Sequence, residues 1–164
     1  MCGIIGAIGI DADPLAIESS LAHLYHRGPD HQGFKSISKI CHMGVARLAM
    51  TDPQPRSNQP LTIMNERFTI SFNGEIYNYK QLISELQALG HVFHTKSDTE
   101  VIVHAWESWG SECVKRFRGM FAFALWDRNR QTFFLARDRL GVKPMFYALL
   151  DAGTHLGMAS LSMR

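Results

Sequence analysis

The chain has 164 residues, 46% of them hydrophobic and 20% charged, which is the profile of one folded domain with a substantial core. A net charge of +2, with the basic residues scattered along the chain, gives no reason to expect a nucleic-acid partner. No apolar run approaches the ~18–20 residues of a membrane span, and the apolar start, followed by Asp11 and Asp13 with no basic segment ahead of it, is not a signal peptide.

In chain order, Gly3 to Ile10 is a β-branched and glycine run that predicts a buried strand. Asp13-Pro14 starts a helix to about Leu24, with Asp13 as N-cap and Pro14 in the first helical position. A turn at Arg27-Gly28-Pro29-Asp30 precedes two adjacent strands, Gly33 to Ile37 and Cys41 to Leu48. Residues 51–60 (TDPQPRSNQP) hold three prolines and form a loop. Phe68 to Phe72 alternates as a half-buried strand and ends at Asn73-Gly74, a pair that favours a tight turn.

Tyr79 to Leu89 reads as a helix with Leu82, Leu86 and Leu89 on one face and Gly90 as its stop. Ser97 and Glu100 fit a capping box that opens a second helix, whose apolar face holds Val101, Ile102, Ala105 and Trp109. Met120 to Trp126 and Thr132 to Ala136 form a hairpin about residues 127–130, and strands at 145–149 and 155–159 follow. Strands, then helices, then strands suggest an α+β fold of two sheets with helices outside, not a βαβ alternation.

Cysteines 2, 41 and 113 are odd in number and lack metal-type spacing; they argue against a disulfide framework and fit a reducing, cytoplasmic setting. Cys2 follows the initiator methionine, and its small side chain favours removal of that methionine. The freed residue would carry a thiol and an α-amine titrating near ~7.7–8.0, a nucleophile with its own base.

Such a thiol needs an oxyanion site and substrate contacts. Asn73 and Gly74 offer an amide and an unobstructed N–H; an ordinary hairpin turn is the alternative. Glu75 and Asp98 could hold an ammonium group, although Asp98 also suits a helix start. Arg47 suits bidentate carboxylate binding or a surface salt bridge. His23, His26 and His31 form no familiar metal pattern, so no metal site is expected. Arg137, Asp138, Arg139 and Lys143 read as an internal ion-pair network, Met50, Met64, Met120, Met145 and Met158 as core, and no glycine-rich phosphate loop occurs.

Eight segments carry a family resemblance: MCGIIG at 1–6, HRGPD at 26–30, RLAMTD at 47–52, NQPL at 58–61, NGEIYN at 73–78, SDTE at 97–100, GMFAFALWD at 119–127 and RDRLGVKP at 137–144. In order and almost end to end, they resemble the glutaminase domain of class II glutamine amidotransferases, specifically the asparagine-synthetase branch. The resemblance implies an N-terminal-nucleophile hydrolase fold, a four-layer αββα sandwich of two mostly antiparallel sheets. It implies that Cys2 attacks the side-chain amide of glutamine, with its α-amine moving protons and Asn73 and Gly74 forming the oxyanion hole. Arg47 would hold the substrate carboxylate and Glu75 and Asp98 its ammonium. Leu48, Ala49, Met50 and Thr51 would line the pocket, and the 51–60 loop would close over it. A glutamyl thioester would form, ammonia would leave, and water would release glutamate.

The family's second domain amidates aspartate at the expense of ATP, and its SGGxDS signature is absent from these 164 residues. No cofactor is therefore expected here; ATP and magnesium belong to that synthetase domain or subunit, the expected acceptor of the ammonia. A homodimer is compatible with the resemblance. A freestanding glutaminase, an amidotransferase with another acceptor, and an inactive regulatory module are the alternatives. Relatives usually continue A-S-E in the final strand, where this chain has Ala159-Ser160-Leu161.

Overall fold

The structure, a computed structural model, describes residues 2–9, 12–150 and 155–160. Met1, the Ile10 end of the first strand, Asp11 and the departure at Leu161 with the tail after it lie outside the described residues. Among the described residues, nine strands form two antiparallel sheets. The first sheet orders β2 (His31–Ser38), β3 (Cys41–Arg47), β1 (Gly3–Gly9), β9 (His155–Ser160) and β8 (Phe146–Leu150). The second orders β4 (Leu61–Ile63), β5 (Phe68–Ile76), β6 (Gly119–Asp127) and β7 (Thr132–Arg137). The helices are α1 (Pro14–Leu21), α2 (Tyr79–Ala88) and α3 (Asp98–Trp109).

Strand alternation sorts the side chains into three apolar clusters, and the clusters set the layers. Leu21 and Leu24 pack with Ala46, Ile5 and Phe34, joining α1 to the outer face of the first sheet. Ile4, Met43 and Val45 from that sheet meet Ala124 and Trp126 of β6 between the sheets. Phe121, Phe123 and Leu125, the alternate residues of β6, join Phe68, Ile70 and Phe72 of β5 and Leu82, Leu86, Ile102 and Trp106 of α2 and α3. Helix, sheet, sheet and helix pair thus stack in four layers, as the resemblance implies.

Several local readings change. The Asn73-Gly74 pair forms no turn: β5 continues to Ile76, paired with β6 from Phe68↔Asp127 to Ile76↔Gly119. Cross-strand pairing over nine residues overrides the local turn preference. Glycine is still required, because a Cβ at residue 74 would stand 2.2 Å from the Met120 carbonyl oxygen. The first helix stops at Leu21 and tightens to 3-10 geometry over Ala22–Arg27. Leu89 caps α2 and is 60% exposed, so the apolar face of that helix ends at Leu86. The capping box is half formed: Ser97 Oγ accepts from the Thr99 N–H, but Glu100 turns to the His94 and Thr95 amides. Asp138 accepts from the N–H groups of Phe121, Val142 and Lys143, and the charge of Arg137 adds to what favours its carboxylate. β4, inside a proline-rich neighbourhood, had no clear sequence signal.

Candidate active site

Antiparallel pairing brings the start of β1 beside the end of β3, with Gly3 opposite Ala46. Cys2, Arg47 and the loop after Arg47 therefore share one end of the sandwich. The end of β5 and the start of α3 reach the same place, and one cleft is lined by Cys2, Arg47, Leu48, Met50, Thr51, Gly74, Glu75 and Asp98. Asn73 lies fully buried outside the lining, and Ala49 is also outside it, its N–H donating to the Asp30 carboxylate at 2.8 Å.

Cys2 is half-buried, and its Sγ accepts from the Leu48 N–H at 3.4 Å. Burial pushes its thiol above the ordinary range, opposed by the Leu48 amide and by the positive field of Arg47. The resting group is therefore a thiol, and its activation requires a base. Cys41 and Cys113 are free as well, and burial pushes both up to about 12.

Arg47 projects between the sheets at the end of β3 and is 4% exposed. Its guanidinium donates to Asn58 Oδ1 at 2.7 Å and to the Asp52 carbonyl. Both partners are neutral, so the cation is oriented without being neutralised by them, a favourable arrangement for a carboxylate ligand. The loop that supplies them is itself tied down. Asp52 accepts from Ser57 Oγ, Arg56 Nε and the Lys96 N–H; despite burial, these bonds hold its carboxyl at about 2.

Across the cleft, Asp98 is 2% exposed. One carboxylate oxygen accepts from the Ile76 N–H at 2.9 Å, the other from Thr51 Oγ1 at 3.0 Å. Burial pushes its carboxyl up against those bonds, and the neighbouring charge of Glu75 adds to the rise. A buried carboxylate next to a second one, on a cleft, is an arrangement that a cationic group would relieve.

Asn73 sits on the inter-sheet face of β5, where its Nδ2 donates to Ser160 Oγ of β9 at 3.1 Å. Ser160 Oγ donates in turn to the Pro144 carbonyl. One amide N–H of Asn73 is thus anchored and the other is not used by that bond. Sequence reasoning overlooked Gln59, Ser97 and Thr99, which also line the cleft. Gln59 accepts from the Phe72 N–H at 2.7 Å and donates to Thr99 Oγ1 at 3.3 Å, fastening the loop to β5 and α3. A polar residue between Asn58 and Pro60 in a segment so poor in regular structure was the available clue.

Comparisons with known proteins agree with this geometry. The family described as "Glutamine amidotransferase domain" matches residues 1–162. Asparagine synthetase [glutamine-hydrolyzing] 1 of Bacillus subtilis is 37% identical over 159 residues, spanning 92% of this chain and 24% of that protein. Asparagine synthetase [glutamine-hydrolyzing] 3 of the same organism is 40% identical over 153 residues, 90% of this chain and 25% of that protein. Asparagine synthetase [glutamine-hydrolyzing] 2 of Oryza sativa is 39% identical, over 89% of this chain and 25% of that protein. The chain thus spans about a quarter of the length of these curated relatives.

Among solved structures, the glutamine phosphoribosylpyrophosphate amidotransferase of B. subtilis superposes with a TM-score of 0.77 at 23% identity, covering 96% of this chain and 41% of that one. It supports the fold alone. The match over residues 1–162, borne by a two-sheet sandwich with Cys2 at the head of an inner strand, makes the chain a member of the glutamine amidotransferase domain family of enzymes.

Proposed function

We propose that this domain hydrolyses the side-chain amide of glutamine and hands the ammonia to an ATP-dependent synthetase domain that amidates aspartate. The observation that carries the reading is the cleft itself: a thiol, a cation and two carboxylates face one space, matching an α-amino acid with an amide side chain. Arg47 binds the α-carboxylate, and Glu75 and Asp98 bind the α-ammonium. The backbone from Leu48 to Thr51 borders the bound substrate.

With Met1 removed, the α-amine of Cys2 takes the thiol proton, and the thiolate attacks the amide carbon of glutamine. The oxyanion receives hydrogen bonds from the Gly74 N–H and from the second N–H of Asn73 Nδ2, placed by Ser160. Collapse breaks the C–N bond, the ammonium of Cys2 returns its proton to the leaving nitrogen, and a glutamyl thioester remains. The amine then draws a proton from water, which attacks the thioester and releases glutamate and the thiol. The 51–60 loop walls the cleft from bulk water, which would otherwise capture the ammonia. ATP and magnesium act in the synthetase domain, and the working location is the cytoplasm.

Intact-mass measurement before and after treatment with diazo-oxo-norleucine, a glutamine-like electrophile, tests the reading. Loss of one methionine and a single adduct, both site and turnover abolished in Cys2→Ala, is the expected result. A retained Met1 with no adduct, or glutamine turnover in Cys2→Ala, overturns it.

A further inference from the structure

The histidines that cluster in space are not His23, His26 and His31. Among the described residues, the donor atoms of His91, His104 and Glu107 lie within 4.8 Å of one another. They line a cavity of about 310 Å3, with Glu100 and His94, that shares no residue with the Cys2 cleft. His104 and Glu107 are one turn apart on α3, and His91 reaches them from the segment that follows α2.

The hydrogen bonds around the two rings constrain their tautomers. His104 Nε2 faces Glu100 Oε1 at 3.4 Å, and that carboxylate already accepts from the Thr95 hydroxyl and from the amides of His94 and Thr95. Nε2 therefore carries the His104 hydrogen, and Nδ1 presents a lone pair. That lone pair points at His91 Nδ1, 2.9 Å away. The other nitrogen of His91 lies 2.6 Å from the Ser108 hydroxyl, which can either donate or accept. Glu107 Oε1 is held by Arg67 Nη1 at 2.7 Å, which leaves Oε2, 3.7 Å from His91 Nδ1, for another partner.

We propose that this cluster is a divalent transition-metal site of zinc type, formed by His91 Nδ1, His104 Nδ1 and Glu107 Oε2 with water from the cavity in the fourth position. Tetrahedral zinc bonds of ~2.0–2.1 Å put ligand atoms about 3.3 Å apart. The two pairs that contain His91 Nδ1, at 2.9 and 3.7 Å, each lie about 0.4 Å from that value, and with all three groups within 4.8 Å the Glu107 carboxylate, on its flexible side chain, swings toward His104 to close the set. In the free protein, the hydrogen of His91 sits on Nδ1 and bridges the two rings while Ser108 donates to Nε2. Metal takes the place of that bridging hydrogen. The hydrogen moves to Nε2 and Ser108 turns to accept it, so no net proton is lost. Glu100 and Ser108 then serve as the outer partners that orient ligating imidazoles. Nitrogen and carboxylate donors of this kind suit zinc and its neighbours over magnesium or calcium.

Such an ion would staple the segment after α2 to the middle of α3, the helix whose first residues line the cleft. The site is independent of the Cys2 chemistry. The test uses the full chain as Cys2→Ala, stripped with a chelator, so that the half-buried thiol cannot hold metal. Zinc chloride titrated calorimetrically should bind at one equivalent, and at 100-fold excess over Kd it should raise Tm by about 5–10 °C. Cobalt(II) should give an intense visible tetrahedral spectrum without a thiolate charge-transfer band. Magnesium should do neither. His91→Ala, at a half-buried position, should weaken zinc binding at least 100-fold, and Glu107→Gln about tenfold, with circular dichroism confirming that each variant is folded. Zinc binding no tighter than millimolar, a thiolate band, or unchanged affinity in both folded variants overturns the proposal.

Discussion

On the proposed reading of the cleft, the needs of binding and of folding oppose each other at Asp98. Its carboxyl is raised by burial and by Glu75, so the folded chain holds that proton more tightly than the unfolded chain does. Stability from this group is full below the ordinary carboxylate value and is lost as pH rises from there through the raised value of the folded state. Asp98→Asn removes that loss and keeps an oxygen for the Ile76 N–H. The expected Tm at pH 7.5 is equal to or above that of the parent, while KM for glutamine rises tenfold or more. A Tm fall of several degrees with KM unchanged would contradict the assignment. In the proposed mechanism Ser160 works through Asn73, whose amide it anchors. Ser160→Ala frees Asn73 Nδ2 from its anchor, and steady-state kinetics should show kcat lower by about tenfold, part of the ~10²–10³ that one oxyanion donor supplies, with KM little changed. Ser160→Thr, which keeps the hydroxyl, should restore much of the rate.

Among the elements, α3 does the most. Its first turn points Ser97, Asp98 and Thr99 at the cleft, and its middle buries Val101, Ile102, Val103 and Ala105. Glu100 ties its start to the preceding segment: burial alone would raise this carboxyl, but bonds from His104, Thr95 and the His94 and Thr95 amides outweigh it and set it at about 2. A depressed carboxyl contributes stability above its unfolded value near 4.5 and loses it as pH falls toward 2. The contribution is on the order of 3 kcal/mol. In urea melts from pH 7 to pH 2.5, Glu100→Gln should be less stable at pH 7 and should converge on the parent at the acid end. Parallel curves would show that Glu100 is not the group that titrates.

At the scale of the whole molecule, the sequence announced the layered sandwich and most of the cleft. Period-two alternation over Phe68–Phe72 of β5 and helical spacing in α2 are strong local signals, and the two sheets followed from element order. The errors arose where a distant partner outweighed a local preference. Asn73-Gly74 reads as a turn until β6 is laid beside it; Glu100 reads as a capping residue until Thr95 and His104 compete for it. Gln59 gave little sign of its place because its role depends on Phe72 and Thr99, which only the fold brings near. The same holds for His91, 13 residues before its partner in sequence.

The burial of the three thiols bears on how the protein meets oxidants. Peroxide reacts with thiolates, and a group pushed up to about 12 is ionised in only about one molecule in 10⁵ at pH 7. Cys41 and Cys113 are inert spectators by that count, and Cys2, raised as well, is slow to oxidise while its cleft is empty. In the proposed mechanism, its reactivity is conferred by a substrate-shaped molecule in the cleft and a base beside the sulfur. The same protonated state that shelters the nucleophile from indiscriminate chemistry makes it answer to one kind of visitor.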